Sequence, residues 1–249
     1  MPPGEQATGD GKRGPWRLVL AAGLVLLLAA GGLLWWLRSG DEPAEVDLAR
    51  DEALDEDADP DGDADPDDLD GRWQVDLEVE PFDREAGTGT FVGYRVDEEL
   101  TTVGAFTAVG RTPLVDGEVE VIDGSVTSAS IDADLTGLES DSGRRDGRVL
   151  STLGGDPRAS FTLTDGFDLP AGLDAEPVTV TATGELTILE VTETVELELQ
   201  AAIRDSSPVI AGRIEVLLSD YGVEVPSAPI VVSASDEAVL EWQLFLARG

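Results

Sequence analysis

Cysteine and histidine are both absent from the 249 residues, and Lys12 is the only lysine. Without thiols there is no disulfide, no thiolate nucleophile and no thiolate metal site. Without imidazole, the Ser-His-Asp and Cys-His schemes, histidine-ligated zinc and the usual neutral-pH proton shuttle are excluded. Lys12 precedes the one long apolar run, so the rest of the chain can form neither a Ser-Lys dyad nor a Schiff base nor a phosphate-binding P-loop. Carboxylate-pair hydrolysis needs none of these groups, but no pair of acids stands out from their general abundance. Composition points away from an enzyme. Basic residues are also scarce: 16 Lys and Arg face 52 Asp and Glu, for a formal net charge of -36. Such a field repels phosphates at long range, which excludes nucleic acid as a partner. An acidic domain whose only basic residue is arginine also suits a salt-rich setting, where counterions screen its self-repulsion.

The apolar run covers residues 18–37 and holds no charge. As a helix it measures about 30 Å, the hydrocarbon thickness of a bilayer, so it is expected to cross a membrane once. Lys12, Arg13 and Arg17 precede it and only Arg38 follows before the acids begin at Asp41. By the positive-inside rule the N-terminus is cytoplasmic and the remainder faces the other side of the cell membrane. Trp16, Trp35 and Trp36 fall where interfacial aromatic belts lie. A cleaved signal peptide is the alternative, but Trp35-Trp36-Leu37-Arg38 lacks a small-x-small cleavage site. Either way the following domain is exported.

Residues 41–70 contribute -15 of the net charge through sixteen acids and one arginine. With so little apolar surface this segment is expected to stay disordered and extended by its own charge, a stalk spanning roughly 30 Å or more. Asp57, Asp59, Asp61, Gly62, Asp63, Asp65 and Asp68 fit the spacing of an EF-hand calcium loop. Aspartate at nearly every second place makes such a match easily. Pro60 and Pro66 interrupt it, no amphipathic helix flanks it, and no metal site is assigned.

After Gly71 the pattern changes to alternation. Val195, Leu197, Leu199, Ala201 and Ile203 are separated by Glu196, Glu198, Gln200 and Ala202, the period of a half-buried strand. Val75, Leu77 and Val79 repeat it, as do Leu240, Trp242, Leu244 and Leu246. Further strands are expected at 90–97, 118–122, 125–135, 159–164, 178–189 and 209–218, with Asp116-Gly117 and Asp123-Gly124 as turns. No long helical period occurs, so the sheet is expected to be antiparallel, with one short helix within 143–153. About eight strands with one apolar face each close into a barrel or stack as a sandwich.

Several short pieces occur in an order that resembles the YceI-like proteins. Trp73-Gln74-Val75-Asp76 resembles that family's opening strand. Val92 to Val96, followed by Val103-Gly104-Ala105-Phe106, is similar to its second strand and Gly-x-Phe turn. Ser130-Ile131-Asp132-Ala133 with Thr136-Gly137, then Arg145-Asp146-Gly147-Arg148, resembles the strand leading to an Arg-Asp motif and short helix. Pro157 with Phe161 is similar to the Pro-x-x-x-Phe entry. Gly184-Glu185-Leu186-Thr187-Ile188 with Val191-Thr192 and Val195 is the most specific piece, and Asp220-Tyr221-Gly222-Val223 resembles the late aromatic-Gly turn. Asp97 stands where many members have histidine.

The resemblance implies a lipocalin-like barrel that binds a polyisoprenoid lipid, without catalysis and with no cofactor beyond the lipid itself. The expected fold is thus all-β, an antiparallel lipocalin-like β-barrel with one short helix over residues 72–249. A cytoplasmic segment at 1–17, a transmembrane helix at 18–37 and an acidic disordered stalk at 38–71 precede it. In such a barrel Tyr94, Val96, Phe106, Phe161, Ile188 and Trp242 face inward, either lining a tunnel for one extended apolar chain or filling a closed core. The closed core corresponds to a structural or adhesive surface module. Arg144, Arg145 and Arg148 form the only basic cluster in the sequence of the domain. They either meet a lipid headgroup or pair with Asp141 and Asp146 on a solvated loop.

Overall fold

The computed structural model describes residues 43–48, 69–101, 104–170, 173, 176–204, 207–225 and 231–249, all within one compact unit, Glu42–Gly249. The apolar run 18–37 and the calcium-loop pattern 57–68 lie outside the described residues. Among the described residues no helix is long and apolar enough to cross a membrane.

Among the described residues eleven strands and one α-helix follow in the order β1 (Gly71–Asp76), β2 (Phe91–Leu100), β3 (Gly104–Thr112), β4 (Val115–Ile122), β5 (Ser125–Asp134), α1 (Gly143–Leu153), β6 (Arg158–Asp165), β7 (Phe167–Asp168), β8 (Val178–Ile188), β9 (Val191–Arg204), β10 (Ser207–Leu217) and β11 (Val231–Arg248). Of the two expected turns one forms: Asp116-Gly117 lies instead inside β4, where Asp116 pairs with Asp132 and Gly117 with Ile131. Asp123 and Gly124, both at positive φ (49° and 70°), turn β4 into β5 as a primed hairpin turn demands.

Ring closure decides between barrel and sandwich. β1, β4, β5, β6, β8, β9, β10 and β11 pair antiparallel in that order, and β11 returns to β1 with Trp73 opposite Arg248 and Val75 opposite Leu246. A closed ring of eight strands has no edge left to protect. β11 is 18 residues long and outlasts β1, so its earlier part, Val231 to Gln243, pairs instead with β2, which carries β3 on its other side. Beyond the bridge between Arg111 and Glu139, β3 has no second strand partner among the described residues. The helix α1 reaches this corner, where Arg145 stacks over Phe106 with 5.0 Å from guanidinium to ring centroid.

One end of the barrel is packed shut by Leu69, Trp73, Val119, Val126, Leu173 and Leu246. The Trp73 indole donates to the Leu69 carbonyl at 2.7 Å, so its one polar atom is satisfied within this plug.

Two further expectations about the outer surface are corrected. The alternation Val75, Leu77, Val79 does not continue as strand: β1 stops at Asp76, whose carboxylate accepts from the Glu78 amide at 2.7 Å in an Asx turn, and Leu77 and Val79 are exposed. The segment 38–71 is also not free of the barrel throughout, because residues 43–48 form a strap against its outer face. Leu48 is completely buried with Ala202, Val209, Ala211 and Phe245, and its amide donates to Gln200 Oε1 at 2.8 Å. Leu48→Ala removes the anchor of this strap, at a cost of about 2–5 kcal/mol if the site cannot collapse. Amide exchange at Ala44 and Leu48 is therefore expected to accelerate by about 30-fold or more while β10 stays protected. Unchanged exchange at both amides shows that Leu48 does not hold the strap.

Beneath the strap lies a second basic cluster, which linear order does not reveal. Glu241 gives one carboxylate oxygen to Arg95 Nε and the other to Arg111 Nε, each at 2.7 Å, and all three residues are buried. Two cations and one anion leave an excess positive charge, and strap carbonyls meet it. Arg95 donates to the carbonyls of Pro43 and Ala44 at 2.7 Å, and Arg111 to that of Ala44 at 2.5 Å and of Arg84 at 2.7 Å. Burial lowers the Arg111 pKa from its ordinary value, an effect that Glu241 opposes.

Candidate functional site

Above the plug the barrel is hollow. A cavity of about 540 Å³ runs along the inner wall, within the range of small-molecule sites, about 300–1,000 Å³. Tyr94 and Val96 from β2, Phe161 from β6, Ile188 from β8 and Trp242 from β11 all line it, as the inward parity of each strand requires. Aliphatic side chains such as Leu186, Leu199 and Leu240 supply much of the rest.

Three large rings share this lumen without filling it, and glycines on neighbouring strands explain why. Tyr94 lies opposite Gly110 and Trp242 opposite Gly212, while Phe161 lies diagonal to Gly184. A Cβ placed on any of the three glycines falls under 3.0 Å from the corresponding ring. Each ring is thus folded against the wall in the space that a side chain would take. The closed core expected as an alternative is not what these side chains build.

Polar groups gather at the α1 end. Arg144, Arg145 and Arg148 all line the cavity there. Arg145 is engaged: it pairs with Asp141, lies 3.5 Å from Glu98 and stacks on Phe106. Asp146 is engaged too, accepting from the Ser140 amide at 3.0 Å and its hydroxyl at 2.5 Å. Arg144 and Arg148, one helical turn apart and exposed, have no ion pair or hydrogen bond among the described residues. The Tyr94 phenol also faces the lumen, without a hydrogen-bond partner among the described residues, and burial raises its pKa to about 12, so it remains a neutral donor at ordinary pH.

A family model for the YceI-like domain matches residues 90–245. The chain belongs to the YceI-like family. Two solved structures are similar to the chain at low identity. One is a polyisoprenoid binding domain from Saccharophagus degradans implicated in plant cell wall breakdown (15% identity, TM-score 0.49, covering 71% of this chain and 98% of that one). The other is BcnA of Burkholderia cenocepacia (18% identity, TM-score 0.48, covering 70% and 99%). No curated protein matches the sequence.

Eight of the nine residues singled out from the sequence line the cavity of this YceI-like domain. The ninth, Phe106, is the platform under Arg145. The Gly-x-Leu-Thr-Ile segment acquires a structural meaning, since Gly184 makes room for the Phe161 ring while Leu186 and Ile188 face the lumen. Gly110, Gly212 and Ser142 were not singled out. The first two carry a signal in hindsight, an isolated glycine within a strand pattern, which marks close approach by a neighbour.

Proposed function

We propose that this chain is a membrane-anchored, extracytoplasmic lipid-binding protein that holds one long apolar chain, an isoprenoid or similar, in its barrel. The observation that carries the reading is the lumen itself: an apolar cavity, plugged at one end, kept open by three ring-over-glycine pairs, in a domain of the YceI-like family. Each methylene that enters gains about 0.8 kcal/mol by leaving water. The residues in contact with that chain are Tyr94, Val96, Phe161, Ile188 and Trp242. The membrane is reached through residues 18–37, with the N-terminus in the cytoplasm and the barrel in the cell envelope as carrier, store or chaperone.

The test is to purify the full chain from a lipid-containing host, wash it extensively with a short-chain detergent, and identify what organic extraction releases. About one prenyl or other long single-chain lipid per protein supports the reading. A chain that yields no lipid and also refuses added polyprenol overturns it, leaving a non-catalytic surface module.

A further inference from the structure

Resting on the lipid-binding reading, the donors at the open end of the cavity say what kind of head the lipid carries. We propose that Arg144 and Arg148, with the Tyr94 phenol and the Ser142 hydroxyl, select a single-chain amphiphile whose head is an anionic oxygen group, phosphate or carboxylate.

The case begins with what is already taken. Two carboxylate residues contribute to the cavity lining, Glu98 and Glu241. Glu98 pairs with Arg145, and both oxygens of Glu241 are bound by Arg95 and Arg111 on the far face of the sheet. The remaining lining at this end offers free donors. Among the described residues Arg144 and Arg148 have no anionic partner, and the Tyr94 hydroxyl makes no hydrogen bond. Ser142, the residue just before α1, makes no side-chain cap to the helix, and among the described residues its hydroxyl is open as well. A neutral alcohol head satisfies one or two such groups. Only an acceptor with several lone pairs and a negative charge satisfies the set.

The helix itself is built against its own interest. Arg144 and Arg145 occupy the first turn of α1, where the macrodipole favours anions, and Arg144 and Arg148 are like charges at i and i+4. The one acid of the first turn, Asp146, is turned away to Ser140. An anionic head seated here meets two guanidinium groups and the positive end of the dipole at once. The domain's many acids do not cancel this attraction, because screening at about 8 Å in physiological salt leaves the adjacent arginines dominant.

Matched pairs of ligands separate the head from the tail. The full chain, stripped of lipid, is titrated with geranylgeranyl phosphate against geranylgeraniol, and with palmitate against hexadecanol, following tryptophan fluorescence. The wild type is expected to prefer the anion of each pair by about tenfold or more, the equivalent of one charge-assisted hydrogen bond. Arg144→Gln with Arg148→Gln is expected to abolish the preference, lowering the affinity for each anion to that for its alcohol, while an unchanged urea midpoint shows that the variant folds. Preference confined to the phosphate pair or to the carboxylate pair supports the proposal and names the head. Equal binding of acid and alcohol by the wild type overturns it while the lipid reading stands, as does a preference that survives the double substitution. Binding of none of the four overturns both.

Discussion

Glu241→Gln is expected to lower the stability of the barrel by about 3–5 kcal/mol, among the largest effects that a single isosteric change can have. The carboxylate holds Arg95 and Arg111 through separate oxygens, in a site where Arg111 is 0% and Glu241 2% exposed. An amide can accept from one arginine, but its NH2 group then faces the Nε–H of the other, donor against donor. The charge of the cluster rises at the same time from one positive to two, with strap and loop carbonyls as the only remaining acceptors. Urea unfolding measures the change: the midpoint falls while the slope is unaltered, since the area exposed on unfolding is the same. The pair between Arg213 and Glu45 is the internal control. It joins the same strap to the barrel at 2.9 Å, but both side chains are about 60% exposed, so Arg213→Gln is expected to cost no more than about 1 kcal/mol. Similar small losses for both variants refute the view that the Glu241 cluster holds the strap face together.

The difference between those two ion pairs also shows where the sequence is legible. Arg95, Arg111 and Glu241 occupy outward positions of strands, and in a pattern of alternating apolar and polar residues they read as surface charges. Their burial depends on the strap and on the loop between β1 and β2, and contacts so distant in sequence leave no local period. A trace is nonetheless present. Val209-Ile210-Ala211 and Leu244-Phe245-Leu246 are apolar at consecutive positions, the mark of strands covered on both faces, and these are the strands over which Leu48 lies. The acidity of the segment 38–71 concealed its partner, because Val46 and Leu48 are isolated among Glu45, Asp47 and Asp51 and resemble no element. The inner face was easier. Alternation placed Tyr94, Val96, Phe161, Ile188 and Trp242 on the lumen wall because the period of a strand is fixed at two; it failed at Phe106, which lies under Arg145, and at Leu77 and Val79, where the pattern outran the strand. Whether those inner residues fill the barrel depends on which way each ring leans. Glycines on the adjacent strand decide that, and their pairing requires the register.

Gly110→Ala and Gly212→Ala test that account of the hollow lumen, and both are expected to weaken lipid binding by about ten- to hundredfold. The three nearest atoms to a Cβ at Gly110 all belong to the Tyr94 side chain, so the added methyl acts first on that ring. At Gly212 the Trp242 ring is nearest, followed by the backbone carbonyl of Glu198, so a small shift of the wall accompanies the same displacement. Each ring swings into the space that the apolar chain occupies. The apo barrel tolerates this, having a cavity to receive the ring, while the loaded barrel is overpacked by about 1–3 kcal/mol, which sets the expected loss of affinity. Apo stability is therefore expected to change little for Gly110→Ala even as binding collapses, a divergence that general destabilisation does not produce. Compensation sharpens the test. Tyr94→Leu in the Gly110→Ala background removes the displaced ring and is expected to restore affinity for a polyprenol, whereas two independent defects add. If the single variants bind as tightly as the wild type, the rings do not gate the lumen. The width of the barrel is then set by its strand number and tilt alone.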